Sequence, residues 1–359
     1  VEKIELLLPF MTGFGGTEKV IHNLVEASKT DPETKIHVTQ YGGTLDTYWI
    51  KDSDYSDVKM ASAKKVRTVQ YLIMLPFWIF KKVKLTDANV IISTNPVMWA
   101  LSFLWKTVLK RNISVVAWYH YSLKKKKVSK FALKKADKYL AISSGVQEEL
   151  LSYGISEENV HLIYNPVQNS TRLIPRDKKI INLIYVGRVM LHGQKNLIEL
   201  FEALSMLSTT LKWTLKIYGD GVPREVEQAK KFVQQNMLEE KVSFEGFNDN
   251  VWNEIKYADA LVLTSTYEGF GMVLAEALTH GVFVVSSDCE TGPKDIINGH
   301  NGFIYHQGDT NELKNDLSKI ISRDYHLPSQ EYLAESASKF SESNYYKRFV
   351  SAIKTEEIQ

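Results

Sequence analysis

The sequence of 359 residues holds a single cysteine, Cys289, which excludes an internal disulfide and a cysteine-built metal cluster. No run of about 20 apolar residues occurs, so no helix is expected to span a bilayer. No secretory leader is visible ahead of Val1, and a cytoplasmic protein is the expectation. No Gly-x-Gly-x-x-Gly follows the first predicted strand, so a dinucleotide fingerprint is not supported. No Asp-x-Asp stands in a setting suited to a metal. Acid is missing from one long region: between Lys59 and Lys138 there are 18 basic residues against Asp87 and Asp137 alone. The net charge of +2 therefore conceals +7 over residues 1–165 (23 Lys/Arg against 16 Asp/Glu) and −5 over the remainder (21 against 26). Such asymmetry concerns partners rather than fold.

With 44% apolar and 24% charged residues, the chain has the composition of a soluble globular protein long enough for two domains. Its organising stretch is Thr264-Ser-Thr-Tyr-Glu-Gly-Phe-Gly-Met-Val-Leu-Ala-Glu-Ala-Leu278. The apolar run Ala260 to Leu263 reads as a buried strand. Glu268 to Gly271 reads as a turn, because its two glycines tolerate positive φ and close backbone approach. A helix is predicted from Met272 to His280, with Gly281 as the C-terminal stop. Strand, glycine turn and helix N-terminus aim backbone N–H groups at an anion. Glu268 and Glu276 flank that site, and carboxylates suit hydroxyl groups rather than phosphate. A diphosphate with polyols at both ends is a sugar nucleotide.

The first half reads as alternating strands and helices. A strand from Ile4 to Pro9 precedes the loop Met11-Thr-Gly-Phe-Gly-Gly-Thr-Glu18 and a helix from about Thr17 to Ser28, making a phosphate- or substrate-loop candidate. Strands follow at Ile36–Tyr41, Val90–Ser93 and Ser114–Trp118. His120 stands just beyond the carboxyl end of the last of these, where α/β sheets bind ligands. Ser144 and Gln147 have capping-box spacing. The half closes with Val160–Tyr164, and Gln168 to Lys179 reads as a polar linker. In the second half, strand Ile181–Val186 leads into Gly187 to Asn196, where Arg188 and Lys195 set two cations at the sheet edge. Two cations there fit a diphosphate. Further turns at Gly219-Asp-Gly221 and Gly246-Phe-Asn248 follow strands at Leu211–Tyr218 and Val242–Phe244.

Together, Glu268-x7-Glu276, Gly187-Arg188 with Lys195, Gly219-Asp-Gly221 and the Gly15-Gly16 loop resemble the retaining GT-B enzymes of glycosyltransferase family 4. Trp118-Tyr-His-Tyr-Ser-Leu123, Ala141-Ile-Ser-Ser-Gly145, Asn165-Pro-Val167, Gly193-Gln-Lys195 and Gly292-Pro-Lys-Asp-Ile-Ile297 are similar to stretches of the lipopolysaccharide 1,6-galactosyltransferase group. The resemblance implies an α/β fold of GT-B type, two Rossmann-like domains facing across a cleft. Residues 1–167 would form the acceptor side and 168–344 the nucleotide-sugar side, with a helix at about 345–359 returning to the first. By position, Arg188 and Lys195 would contact the diphosphate, Glu276 the ribose and Glu268 the transferred sugar. Phe270, Gly271 and Met272 would offer main-chain N–H groups, and His120 would hydrogen-bond the donor sugar. Gly15 and Gly16 would approach the diphosphate, and Phe247 and Asn248 would border the base. The Gly-Phe-Gly-Gly-Thr-Glu loop departs from the Lys-Thr-Gly-Gly of starch and glycogen synthases, which argues against ADP-glucose.

The expectation is thus a retaining transfer of galactose or glucose from a UDP-hexose, α-linked, to a saccharide, lipid-linked or anionic polymer acceptor. No cofactor and no metal are expected, the basic pair meeting the charge on UDP. A UDP-sugar 2-epimerase of the non-hydrolysing kind shares the architecture and stays open at this point. Nucleic acid is not expected, because no recognition motif accompanies the basic stretch. Within that stretch Tyr71 to Phe80 is almost wholly apolar and too short to span a bilayer. Core burial is expected for most of it, with Pro76 as a kink. Its flanking cations suggest peripheral contact with the cytoplasmic face of a membrane.

Overall fold

The computed structural model describes residues 1–13 and 15–354, so Phe14 of the first glycine loop and the end of the expected last helix, 355–359, lie outside the described residues. The chain divides into two compact units: Val1–Pro166 with the segment from Glu342 onward, and Val167–Ser341.

The first unit runs β1 (Glu2–Leu8), α1 (Gly16–Ser28), β2 (Thr34–Tyr41), β3 (Tyr55–Val58), α2 (Lys64–Leu85), β4 (Val90–Ser93), α3 (Pro96–Val108), β5 (Ser114–Trp118), α4 (Lys130–Leu133), β6 (Lys138–Ala141), α5 (Ser144–Ser152) and β7 (Val160–Leu162). Its seven strands pair in the order β3-β2-β1-β4-β5-β6-β7, with parallel registers throughout. Central β4, Val-Ile-Ile-Ser, is buried along its whole length, as a parallel strand covered on both faces must be. Edge strand β3, Tyr-Ser-Asp-Val, is part-exposed and carries no apolar run, which is why it escapes sequence reading. Asn95 caps α3 by accepting from the N–H groups of Val97 and Met98, with Pro96 as the first helical residue. The cap of α5 is Ser143 rather than Ser144: its hydroxyl accepts from Val146 N at 3.3 Å.

Helix α2 runs through Pro76, whose carbonyl accepts from Trp105 Nε1 at 3.0 Å. Leu75, Ile79 and Val83 enter a core cluster with Leu7, Tyr41, Ile91 and Met98. Ile73 and Phe77, in the stretch whose burial is expected for the most part, are exposed, because the sheet covers only one side of the helix, and Leu72 is exposed as well.

The second unit runs β8 (Ile181–Val186), α6 (Leu197–Ser205), β9 (Trp213–Tyr218), α7 (Pro223–Gln235), β10 (Val242–Gly246), α8 (Val251–Glu254), β11 (Ala260–Leu263), α9 (Met272–Thr279), β12 (Phe283–Ser287), α10 (Pro293–Ile296), β13 (Gly302–Tyr305), α11 (Thr310–Ile321) and α12 (Gln330–Ser336). Its six parallel strands are ordered β10-β9-β8-β11-β12-β13. The predicted linker packs into this unit instead: Ile174 is buried, and Arg172 donates to the carbonyls of Trp252 at 2.7 Å and Ile255 at 2.8 Å. Helix α13 (Glu342–Ile353) then rejoins the first unit, where Tyr345 and Phe349 are buried and Tyr346 donates to Asp31 at 2.8 Å.

Both sheets share one topological consequence. The strand that opens each sheet is flanked by the next strand on one side and by a later strand, reached by a crossover, on the other. Loops leaving β1 and β4, and loops leaving β8 and β11, therefore start side by side at the carboxyl edge, where open α/β sheets hold ligands.

Candidate active site

In the second unit, strand pairing of β8 with β11 makes neighbours of two loops far apart in sequence. The loop after β8 is zipped to the end of β11: Thr266 N donates to the Gln194 carbonyl at 2.8 Å, and Thr264 Oγ1 donates to the Lys195 carbonyl at 3.0 Å. That backbone lock fixes Lys195, whose Nζ donates to Glu268 Oε1 at 2.6 Å. The two side chains are 13% and 11% exposed, so salt screens their attraction little. Arg188 is exposed; its Nη2 donates to Gln194 Oε1 at 2.8 Å, while Gln194 Nε2 donates to the Tyr267 carbonyl at 3.3 Å. Gln194 thus ties the Arg188 loop to the Glu268 turn.

Glycines permit this packing. Gly219 has φ +138°, and a Cβ there would stand 1.9 Å from the Gly187 carbonyl oxygen, so the turn after β9 presses directly on the Arg188 loop. Gly292 has φ +92°, and its Cβ would stand 2.1 Å from the Phe270 carbonyl oxygen. Thr291 donates its hydroxyl to the Glu268 carbonyl from the same side. Gly271, with φ +87°, is the residue ahead of α9, and Met272 is the first residue of that helix. The Phe270 ring is buried edge-on against Phe340 at 5.1 Å, which leaves only its main chain for a ligand.

Glu276 lies just over one turn into α9 and is half-buried; Trp252 Nε1 donates to its Oε2 at 3.1 Å, and Trp252 stacks on His280 at 4.9 Å. An ionised carboxylate offers about four lone-pair sites, which suits several hydroxyl donors. Phe247 and Asn248 follow β10, at the edge of the sheet, and both are exposed. The structure therefore gathers Arg188, Lys195, Glu268 and the α9 N-terminus at the switch point, with Phe247 and Asn248 displaced toward the edge strand.

In the first unit, Gly15 is the N-cap of α1 and Gly16 its first residue. The backbone N–H groups of Thr12 and Gly13 donate to Glu18 Oε1 at 3.2 and 3.1 Å, so an internal carboxylate already occupies that part of the loop. His120 follows β5, is buried, and is tilted against Trp118 at 4.6 Å. Neither ring nitrogen has a hydrogen-bond partner among the described residues, and burial pushes its pKa down to about 3, so the ring is neutral. A buried imidazole with two unused polar atoms asks for an explanation that packing does not supply. Its loop is fixed by Glu149, which accepts from the Ser122 hydroxyl and from Leu123 N, both at 2.6 Å.

Sequence reading misses Gln194, Glu18, Glu149, Trp252 and Thr291. Gln194 and Glu18 sit inside motifs already singled out. Glu149 and Trp252 carry no signal, because a lone acid or aromatic on a helix reads as surface or core.

Two family matches cover the chain: "Glycosyltransferase Family 4" over residues 14–170 and "Glycosyl transferases group 1" over residues 169–340. A lipopolysaccharide 1,6-galactosyltransferase of Salmonella typhimurium is 30% identical over 98% of this chain and 98% of its own length. The solved apo form of the lipopolysaccharide outer core galactosyltransferase WaaB superposes with a TM-score of 0.85 at 28% identity, over 98% of this chain and 99% of that one. Anabaena HepE, solved in complex with UDP-glucose, shares the fold with a TM-score of 0.78 at 18% identity, over 98% and 99% of the two chains. With two parallel Rossmann-like sheets, and similarity running nearly end to end in sequence as well as in fold, this chain belongs to the GT-B glycosyltransferases of family 4, in the lipopolysaccharide 1,6-galactosyltransferase group.

Proposed function

We propose that this protein transfers galactose or glucose from a UDP-sugar to a cell-surface glycan or glycolipid, retaining the anomeric configuration and forming an α linkage. The observation that carries the reading is the Lys195–Glu268 contact of 2.6 Å at the β8/β11 switch point, where α9 begins. A diphosphate at that point meets a cation and the N–H groups of Gly271 and Met272. A hexose beside it meets Glu268, whose carboxylate accepts hydroxyl hydrogens. Donor entry would then divide the ion pair, Lys195 turning to phosphate and Glu268 to sugar.

In this reading Arg188 and Lys195 meet the charge that grows on departing UDP. Glu276 accepts from the ribose hydroxyls, and Phe247 and Asn248 border the base. His120, being neutral, serves as a hydrogen-bond partner for a sugar hydroxyl rather than as a cation. The bond between the anomeric carbon and the β-phosphate oxygen breaks, and its electron pair leaves with UDP. The acceptor oxygen bonds to that carbon on the same face, and its proton passes to the departing phosphate oxygen. We assign the charge-neutralising role to the two basic residues. The UDP-glucose complex of HepE supports a UDP-sugar donor, and the galactosyltransferase relatives support a lipopolysaccharide-like acceptor. We place the reaction at the cytoplasmic face of the cell membrane.

The test is incubation with UDP-galactose or UDP-glucose and a truncated lipopolysaccharide acceptor, with the product linkage read by NMR. An α-linked product that forms equally in EDTA is expected. A β-linked product, or activity abolished by EDTA and restored by Mg²⁺, overturns the mechanism. Conversion of donor alone to its 2-epimer would make the protein an epimerase.

A further inference from the structure

Helix α2 has two apolar faces, and the fold uses one. Leu75, Ile79 and Val83 point into the core of the first unit. On the opposite side Val66, Val69, Ile73 and Phe77 recur at spacings of three and four, and all four are exposed. Ile73 is 72% exposed and Phe77 63%, far more than scattered surface apolars require. No described residue of the chain covers this stripe.

The charges around the stripe have one sign. Lys64 and Lys65 stand exposed at its start, Lys81 and Lys84 at its end. Arg67 and Lys82 are engaged elsewhere, over the Phe10 ring at 3.7 Å and with Glu5 at 3.2 Å. No Asp or Glu occurs from Lys59 to Thr86. An apolar middle with cations at both ends, on a helix of 22 residues and roughly 33 Å, has the build of a segment lying in a membrane interface. A second copy of the chain is a poor occupant. Stripe against stripe, in either direction, brings lysine against lysine at both ends, and like charges resist pairing.

We propose that the outward face of α2 seats the protein on an anionic lipid bilayer. Val69, Ile73 and Phe77 enter the acyl boundary, while Lys64, Lys65, Lys81 and Lys84 meet lipid phosphates. This deepens the membrane-side part of the functional reading and rests on it only for its biological purpose; the binding itself needs neither donor nor acceptor. The contact is peripheral, since no described helix is long and apolar enough to cross a membrane.

The test is co-sedimentation of the full chain with phosphatidylglycerol/phosphatidylcholine vesicles and with phosphatidylcholine alone, at low and high salt. Two variants accompany it, I73S/F77S and K81E/K84E. All of these residues are exposed, so both variants should fold, as circular dichroism checks. Wild type should pellet with the anionic vesicles at low salt, and at least tenfold less with neutral vesicles or high salt. Each variant should lose at least tenfold in partitioning. Wild type left in the supernatant, equal binding to neutral vesicles, or either variant binding within twofold of wild type overturns the proposal. A dimer abolished by I73S/F77S, with no vesicle binding, would hand the face to a second copy and overturn it too. Stabilisation by UDP, measured on the same samples, reports separately on the transferase reading.

Discussion

Replacing Lys195 by Met separates two roles that its contact with Glu268 combines. With Nζ 2.6 Å from Oε1, the charge centres are roughly 3–4 Å apart, an attraction of about 4–5 kcal/mol at an effective permittivity near 20. Desolvation of two mostly covered ions returns several kcal/mol, so the intact pair contributes only roughly 1–2 kcal/mol net. Removing the cation alone is worse than removing both, because a carboxylate 11% exposed is left uncompensated. Lys195→Met should therefore destabilise the second unit by about 2–4 kcal/mol, roughly 5–12 °C in its melting temperature. Glu268→Gln in the same chain removes the orphan charge, so the double variant should regain most of that loss. Activity should behave otherwise. Lys195→Met should cost roughly 30- to 1000-fold in kcat/KM through lost stabilisation of departing UDP, and the double variant should recover none of it. The assay is scanning calorimetry beside initial rates and UDP titration for the four proteins of the cycle. If the double variant recovers activity together with stability, or if Lys195→Met turns over at the wild-type rate, the pair is a structural ion pair and the site assignment is wrong.

Other expectations follow from the same geometry. Glu276→Gln should weaken UDP binding by about 10- to 100-fold without changing the melting temperature, as calorimetric titration would reveal; unchanged affinity would remove Glu276 from the ribose. Gly219→Ala should unseat the Arg188 loop, because the added carbon meets the Gly187 carbonyl, and should lower stability and activity together, checked by urea unfolding and rates. His120 has a folded pKa depressed to about 3 against an ordinary 6.5. Its contribution to stability is thus complete above pH 6.5 and is lost as pH falls, when only the unfolded chain takes the proton. Between pH 8 and 5 this amounts to about 2 kcal/mol, which urea unfolding should find in wild type and not in His120→Gln. An equal pH slope in both proteins would refute the buried neutral imidazole.

The α/β class and most elements were legible in the sequence because local physics suffices for them. Central strands such as Ala260–Leu263 and Val90–Ser93 are unbroken apolar runs, since parallel strands are covered on both faces. Glycine turns at Gly271 and Gly281 punctuate them where positive φ is needed. Edge strand β3 and the packed stretch Gln168–Lys179 were not legible, because neither carries a periodic apolar pattern. The sequence also carried the site residue types, the basic loop after β8 and the two glutamates around α9. It could not supply their partners. Lys195 and Glu268 are 73 residues apart, and they meet only because the chain crosses over to set β11 beside β8. His120 stood out by its place after a strand's carboxyl end, but only the fold buries it with both ring nitrogens unpartnered among the described residues. Helix α2 makes the division plain. Its composition announced an apolar segment between lysines, but composition is the same on every side of a helix. Only the packing of Leu75, Ile79 and Val83 against the sheet decided that Ile73 and Phe77 would be left facing out.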